Sequence, residues 1–406
     1  MRNILLFSLL TLLFHTPVAA QNSGKYYRKF QNCVVYENMN RARKLLNKGY
    51  DVNDIGPDGK TILLFCLQYD RSNFIRLFLD AGADVTVTDP QGNGVLHYAI
   101  ENCHDRKIVY ELIEKGAEID LANNENYTPF HFSILFACHE LPFYLIEKGV
   151  NYKKITVLNE NALHLSMESR CDTLTHFLLR QNINISLQDI NGFTPLLDAI
   201  RFGDIRAARE LIHLGADTDL TDREGNPGIF YAVVNGDTAA FRLLVNNRAS
   251  MEQDSTRIPY LTIAADQEDT LMIRELLLAG AKNPDQCQTH EECYNKGLIY
   301  YVNAGVSSDS MQVDMLKISL EAFNEALRKY KYELNNLYGS QAGAFLWDLL
   351  SEAVTGTDAD YSELEALREQ INYYEYKSEL CKEKIRKVEK KLNRLMPDKP
   401  VSTIEL

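Results

Sequence analysis

Two short stretches decide the fold: Thr128-Pro129-Phe130-His131 and Thr194-Pro195-Leu196-Leu197. Between them stands Ala162-Leu163-His164, and before them Val95-Leu96-His97. Aligning these places equivalent positions at Thr61, Gly94, Thr128, Asn161, Thr194, Pro227 and Pro259, in steps of 33, 34, 33, 33, 33 and 32 residues. A second marker keeps the period: Gly49, Gly82, Gly116, Gly149, Asn182, Gly215, then Arg248 as an exception, then Gly280. A fixed beat of this length belongs to stacked supersecondary units, not to one closed globule. Such a stack offers long surfaces in place of one deep catalytic pocket.

Each unit opens on turn residues, as in Asp58-Gly59, Gln91-Gly92, Asn191-Gly192 and Glu224-Gly225. Asp, Asn and Gly tolerate the left-handed backbone of tight hairpins. A short helix follows. Thr at its start caps free amides, and Pro suits the first helical turn, where a missing N–H is no loss. The helix packs through Leu63, Leu96, Phe130, Leu163, Leu196, Ile229 and Leu261. A second helix ends in apolar pairs such as Leu45-Leu46, Leu178-Leu179 and Leu276-Leu277, and a Gly behind it serves as a left-handed cap. No unit can bury its apolar faces alone; stacking buries them.

The pattern G-x-T-P-L-H-x-A followed by L-L-x-x-G-A resembles the ankyrin repeat, over roughly residues 25–283 and eight units. Gly94, Asn161, Pro227 and Pro259 depart from the family's Thr. The resemblance implies an all-α solenoid of helix pairs with hairpin loops projecting sideways. It implies protein binding along a concave face, with no catalysis and no cofactor. His97, His131 and His164 match the family's bracing histidine, which makes them structural. Partner contacts in the family come from hairpin residues before the Thr position and from the end of the first helix. Carried onto this chain, the aromatic positions are Tyr69, Tyr127, Phe136, Phe193 and Phe202. Exposed aromatics in adjacent repeats mark an interaction surface; the competing reading is that each packs on its neighbouring hairpin.

Asn283-Pro284 ends the stack, and residues 284–311 read as a polar linker carrying Cys287 and Cys293. Residues 312–397 read as a helical, coiled-coil-like domain and 398–406 as a tail. Leu316, Leu320, Phe323, Leu327, Tyr330, Leu334 and Leu337 alternate steps of 4 and 3, Gly339 to Gly343 break the pattern, and Ala344 to Val354 suggest a short helix with Trp347. From Leu364 through Ile371, Tyr374, Ser378, Cys381, Ile385, Val388 and Leu392 a heptad seam continues to Leu395. It pairs either with the preceding helix as an antiparallel hairpin, the favoured reading, or with a second chain in a homodimer through residues 361–395. Cys381 on the seam is placed to bridge a parallel dimer or to pack as a small residue.

The chain begins with Arg2, an apolar run from Ile4 to Phe14, then Pro17, Val18, Ala19 and Ala20. That predicts a signal peptide over residues 1–20, and so an exported protein, secreted or periplasmic. No later stretch reaches membrane-spanning length. The net charge of -13 with dispersed Lys and Arg argues against nucleic acid. Export makes disulfides plausible for the eight cysteines; for Cys287 and Cys293, which flank Gln-Thr-His-Glu-Glu, a local disulfide is the leading reading, with a Cys–His–Cys metal site and two free thiols as the alternatives. Cys33 and Cys66 occupy one core position in successive repeats and read as buried thiols. Cys103-His104-Asp105, Cys138-His139-Glu140 and Cys171-Asp172 recur between the two helices as a stripe. A metal site there, a Cys103–Cys138 bridge and plain polar helix ends all stay open. Asn126 and Asn184 begin glycosylation sequons whose use depends on the host. The expectation is a non-enzymatic scaffold with a protein partner. The alternatives are an assembly protein joined through its C-terminal helices and a metal- or redox-handling protein using the stripe.

Overall fold

The computed structural model describes residues 24–102, 105–136, 140–252, 259–284, 286–305, 307, 309–339 and 361–396. They are helical throughout, apart from hairpin loops with isolated bridges Thr88–Gly94 and Thr221–Pro227. The chain divides into two compact units, up to Ala216 and from Asp217. The first unit holds six helix pairs: α1 (Lys25–Val35) with α2 (Met39–Asn47), α3 (Ile62–Gln68) with α4 (Ser72–Asp80), α5 (Val95–Asn102) with α6 (Arg106–Glu114), α7 (Pro129–Phe136) with α8 (Leu141–Glu147), α9 (Ala162–Glu168) with α10 (Asp172–Leu179), and α11 (Pro195–Phe202) with α12 (Ile205–His213). The second holds two more pairs, α13 (Gly228–Val234) with α14 (Thr238–Asn246) and α15 (Tyr260–Asp266) with α16 (Thr270–Leu278). The eight units expected from the 33-residue beat are therefore present.

The caps explain where each helix starts. Thr61 and Thr194 accept from the amides of Leu64 and Leu197, and Asn161, where the pattern departs from Thr, accepts from Leu163 and His164. Gly94 has no hydroxyl to offer; its own amide donates to His97 Nδ1 at 3.1 Å. A Cβ on Gly94 would come within 2.5 Å of the Leu121 side chain. Asp105, Asp204, Asp237 and Asp269 cap second helices in the same way.

Three imidazoles fix the register of the first unit. Nδ1 of His97, His131 and His164 accepts from the amide of Gly94, Thr128 and Asn161 respectively, at 3.1, 3.1 and 3.2 Å. That sets the tautomer, so Nε2 donates to the carbonyls of Tyr127, Lys154 and Phe193 in the following hairpin, at 3.0, 3.1 and 3.2 Å. Burial holds all three below the usual imidazole range, His131 down to about 4. An unfolded chain would then bind more protons than the folded one between about pH 6.5 and pH 4. This contribution is complete above pH ~6.5 and is lost as pH falls toward the folded value. His131→Asn should be less stable than wild type at pH 7, and the gap should narrow by about 3 kcal/mol on going to pH 4. Urea denaturation at stepped pH checks this; a constant gap would show that His131 does not carry the acid sensitivity.

The left-handed caps behind the second helices show one strained position. Gly49, Gly82, Gly116, Gly149, Gly215 and Gly280 have φ between 75° and 94°, with open space where a Cβ would stand, so backbone conformation alone selects glycine there. Arg248 takes the same role at φ 65°. A non-glycine residue there costs about 1–2 kcal/mol. Asn182 does not adopt the left-handed form, so the fifth unit ends differently. Arg248→Gly is expected to raise stability by about 1 kcal/mol, somewhat offset by the freer unfolded chain. An unchanged or lower denaturation midpoint would show that the neighbourhood already relieves the strain.

The C-terminal region corrects the linker reading. Within residues 284–311, His290–Ala304 forms a helix, α17. Thr289 and Glu292 build a capping box at its start, a signal that stood in the sequence. Tyr294, Leu298 and Ile299 are buried, α17 packs on α15 and α16, and Asn295 Nδ2 donates to Asp266 Oδ1. Gly297 lets Phe323 approach so closely that a Cβ would meet its ring at 2.8 Å. Helices α18 (Asp309–Gly339) and α19 (Tyr361–Leu395) pack on each other in one chain. Cys381, Ile385, Val388 and Leu392 of the seam are fully buried there. Cys381 is thus enclosed, which removes it as a bridge between chains, and burial pushes its thiol up to about 12. Residues 340–360, including Trp347, lie outside the described residues, as do 1–23 and 397–406.

Candidate functional site

Four hairpins of the first unit are wound on a polar side chain at the base; in the hairpin before them Gly56 holds that position. Asp89 Oδ1 accepts from the amides of Gln91 and Asn93, and Asp189 Oδ1 from those of Asn191 and Phe193. Asn123 does the same for Glu125 and Tyr127, and Thr156 Oγ1 accepts from Glu160. These are Asx-type turns, closed by left-handed Gly92, Asn126, Asn159 and Gly192. Neighbouring hairpins then bond tip to tip: Asn124 N to Gln91 O, Val157 N to Glu125 O, and Ile190 N to Leu158 O, at 2.9, 2.9 and 3.0 Å. The residues on the arms are therefore held in fixed order from repeat to repeat.

Side chains from these arms and from the first helices make one face. Tyr69 and Phe136, at the ends of α3 and α7, are 54% and 45% exposed. Tyr127, Phe193 and Phe202 are half-buried. Tyr127 donates its hydroxyl to Glu160 Oε2 at 3.2 Å. Phe193 and Phe202 hold the Arg201 guanidinium between them, 4.1 and 4.4 Å from the two ring centroids. So Phe193 and Phe202 meet at Arg201, while Tyr127 links instead to the acid on the next arm. Phe136 stacks on Phe132 and Tyr69 on Phe65, at 5.4 and 4.8 Å, each leaving part of its ring in solvent.

The acids of this face are the feature that motif reading passed over. Position five of the repeat, counted from the Thr site, reads Phe65, Tyr98, Phe132, Leu165, Asp198 and Tyr231. Tyr98 donates its hydroxyl to the hairpin acid Asp89 at 2.6 Å, and Tyr231 donates to Asp222. In the sixth unit that place belongs to an acid instead, and Asp198 is 4% exposed. Its Oδ1 lies 3.1 Å from an Arg201 nitrogen, an ion pair without the alignment of a hydrogen bond. Burial pushes the Asp198 carboxyl up to about 8 against the pull of Arg201, and Asp189, Glu168 and Glu160 push the same way. Burial also raises Glu160, with Glu168 and Asp189 adding to it. The register of the repeats carried this signal, because a lone acid stands in an aromatic and aliphatic column.

A carboxyl raised in the folded chain favours folding below about pH 4, and that contribution is lost as pH rises through its folded value. Asp198→Asn should therefore gain stability relative to wild type, by a margin that grows from pH 4 to pH 8. Parallel urea titrations at stepped pH check this; a margin independent of pH would show that Asp198 ionises without penalty.

Other groups offer less chemistry. Cys33 and Cys66 are buried thiols. Cys171 is disulfide-bonded, so it is no thiolate ligand for a metal, while Cys103, His104, Cys138 and His139 lie outside the described residues. Among the described residues, no three of His, Cys, Asp and Glu gather where they would hold a metal ion. The sulfurs of Cys287 and Cys293 are joined, with Cα atoms 5.0 Å apart, which ties the loop before α17 to its first turn. An open groove of about 600 Å³ beside it is lined by Arg328 and Lys329, both within 3.7 Å of Glu325. Among the described residues, no helix is long and apolar enough to cross a membrane.

Residues 30–123 and 130–222 match the family model for ankyrin repeats in three copies. Among solved structures, the ankyrin repeat domain of Bcl-3, described as a unique member of the IkappaB protein family, is 21% identical. The match covers 53% of this chain and 97% of that one, with a TM-score of 0.43. No curated protein matches.

Proposed function

This chain is built on ankyrin repeats, and from that premise we propose that it is a non-enzymatic scaffold, exported from the cell, that binds a protein partner through its hairpins and first helices. The observation that carries this reading is the run of Tyr69, Tyr127, Phe136, Phe193 and Phe202 along one set of arms and helix ends, two of them about half exposed. Interface energy concentrates in aromatic and Arg anchors, and partly exposed rings on a rigid frame lose little entropy on docking. Ankyrin repeats generally mediate protein–protein interaction. Export is supported by the Arg2 to Ala20 pattern and by the joined Cys287 and Cys293, which suit an oxidising compartment.

The structure sharpens the choice of variants. Tyr127 and Phe193 have internal partners, so truncating them alters the face and its support together. Tyr69 and Phe136 end in solvent. Affinity capture on the mature chain from the exporting cell's envelope and medium should recover a partner. Tyr69→Ala with Phe136→Ala should weaken its binding by about 2 kcal/mol or more, roughly thirtyfold, at nearly unchanged melting temperature, and Tyr127→Ala with Phe193→Ala should weaken binding as much while also lowering the melting temperature. A partner held equally well by both double variants would place the binding surface elsewhere.

A further inference from the structure

The hairpin tips of the first unit change character once. Position two of the hairpin reads Pro57, Pro90, Asn124, Val157 and Ile190, and position three reads Asp58, Gln91, Glu125, Leu158 and Asn191. The tips are polar or Pro until Val157, Leu158 and Ile190, which are 55%, 37% and 41% exposed. The bond from Ile190 N to Leu158 O, 3.0 Å, sets them side by side. The turns do not require apolar residues, because each is wound by its base side chain and closed by Asn159 or Gly192. Three large apolar side chains thus leave much of their surface in solvent at the outermost point of a polar hairpin row, and grouped exposed apolar side chains mark interaction sites.

Just below this ridge the face is acidic. Glu160 stands on the arm two residues after Leu158, just past the left-handed Asn159 that closes the turn. Glu168 at the end of α9 is exposed, Asp189 begins the next hairpin, and Asp198 lies behind them in the aromatic column. Arg201 is held between Phe193 and Phe202 and beside Asp198, and Lys154 on the arm before the tip donates to the Asp120 carbonyl. Lys153 is the exposed cation on that arm. The acids outnumber the cations around the ridge; burial raises the Asp198 and Glu160 carboxyls, and Glu168 and Asp189 push both the same way. An approaching cation relieves that repulsion, and an approaching anion adds to it.

We propose that the Val157–Leu158–Ile190 ridge and the Glu160–Glu168 acids beneath it form one docking surface, and that its occupant is a partner-protein segment bearing a large apolar side chain flanked by Lys or Arg. This rests on the scaffold reading above and names the partner's chemistry. The apolar side chain covers the ridge. The basic neighbour meets Glu160 and Glu168.

The test is selection of a displayed random 12-residue peptide library on the full chain. Two control variants accompany it. One carries Val157→Asn, Leu158→Gln and Ile190→Asn, the polar kind of residue found in the neighbouring tips. The other carries Glu160→Gln and Glu168→Gln. Selected peptides should combine Lys or Arg with a large apolar residue. They should bind each variant at least tenfold more weakly, and added salt should weaken the wild type more than the Gln variant. Matching melting curves establish that the variants fold; should the triple variant melt early, Leu158→Gln alone replaces it. Absence of enrichment, enrichment of acidic or uncharged peptides, or undiminished binding to either variant overturns the proposal. Sedimentation that shows wild-type dimers lost in the ridge variant assigns the surface to a second copy and overturns it too. A natural partner that depends on Tyr69 and Phe136 but not on the ridge refutes this inference and leaves the scaffold reading standing.

Discussion

The bond from a buried imidazole to the next hairpin is the constraint on which the first unit depends. One ring nitrogen takes the amide that opens a helix and the other gives its proton to the following repeat. A single side chain thereby satisfies a helix terminus and sets the spacing between units. Both tasks need the neutral ring. Burial supplies that neutrality, since charging a ring with no exposed surface would forfeit its hydration. The price of this device is acid sensitivity. Its return is a row of arms whose order does not depend on the residues displayed on them.

That separation explains why the arms and tips vary so freely. Lys60, Asn93, Tyr127, Glu160 and Phe193 share one position, yet the backbone bonds around them recur from hairpin to hairpin. In four of the five a polar side chain at the base winds the turn, and a left-handed residue closes each. Tyr127 and Glu160 then bond across adjacent arms only because the frame has already placed them one repeat apart. The backbone frame recurs whichever residues the arms display, and side chains such as Tyr127 add bonds to it.

The fold was legible because its signals are local and repeat. Thr61, Thr128 and Thr194, the glycine caps and the paired leucines each state a backbone requirement, and eight repetitions remove the ambiguity of any one. Helix α17 was hidden for the opposite reason. It occurs once, and its opening Gln288-Thr289-His290-Glu291-Glu292 is polar enough to read as a connector. The capping box was there to be read, and the buried face of Tyr294, Leu298 and Ile299 follows it. Of the aromatic positions, the sequence located the arms and helix ends but not the exposure of each ring. Tyr127 and Phe193 stand beside turn residues and have internal partners in Glu160 and Arg201.

Asp198 shows what a periodic sequence conceals when it is read for agreement. Motif matching rewards positions that conform, so Thr194, Pro195 and Leu196 are conspicuous while the next-but-one residue passes unremarked. Physical reading rewards the reverse. In a stack each residue has equivalents whose environments are nearly the same, and the neighbours' choices show what stability alone would select. Here they choose Phe, Tyr or Leu. A buried carboxyl in that column, with Glu160, Glu168 and Asp189 acting on it and one guanidinium beside it, opposes folding at neutral pH. Residues that oppose stability persist where something else selects them, and functional sites are the usual place. The same unit carries the apolar tip at Ile190 and the Arg201 sandwich. Two independent departures from the repeat's own pattern, one apolar and exposed, one charged and buried, thus fall within a dozen residues of each other, and it is their coincidence, more than either alone, that separates a surface from a scaffold.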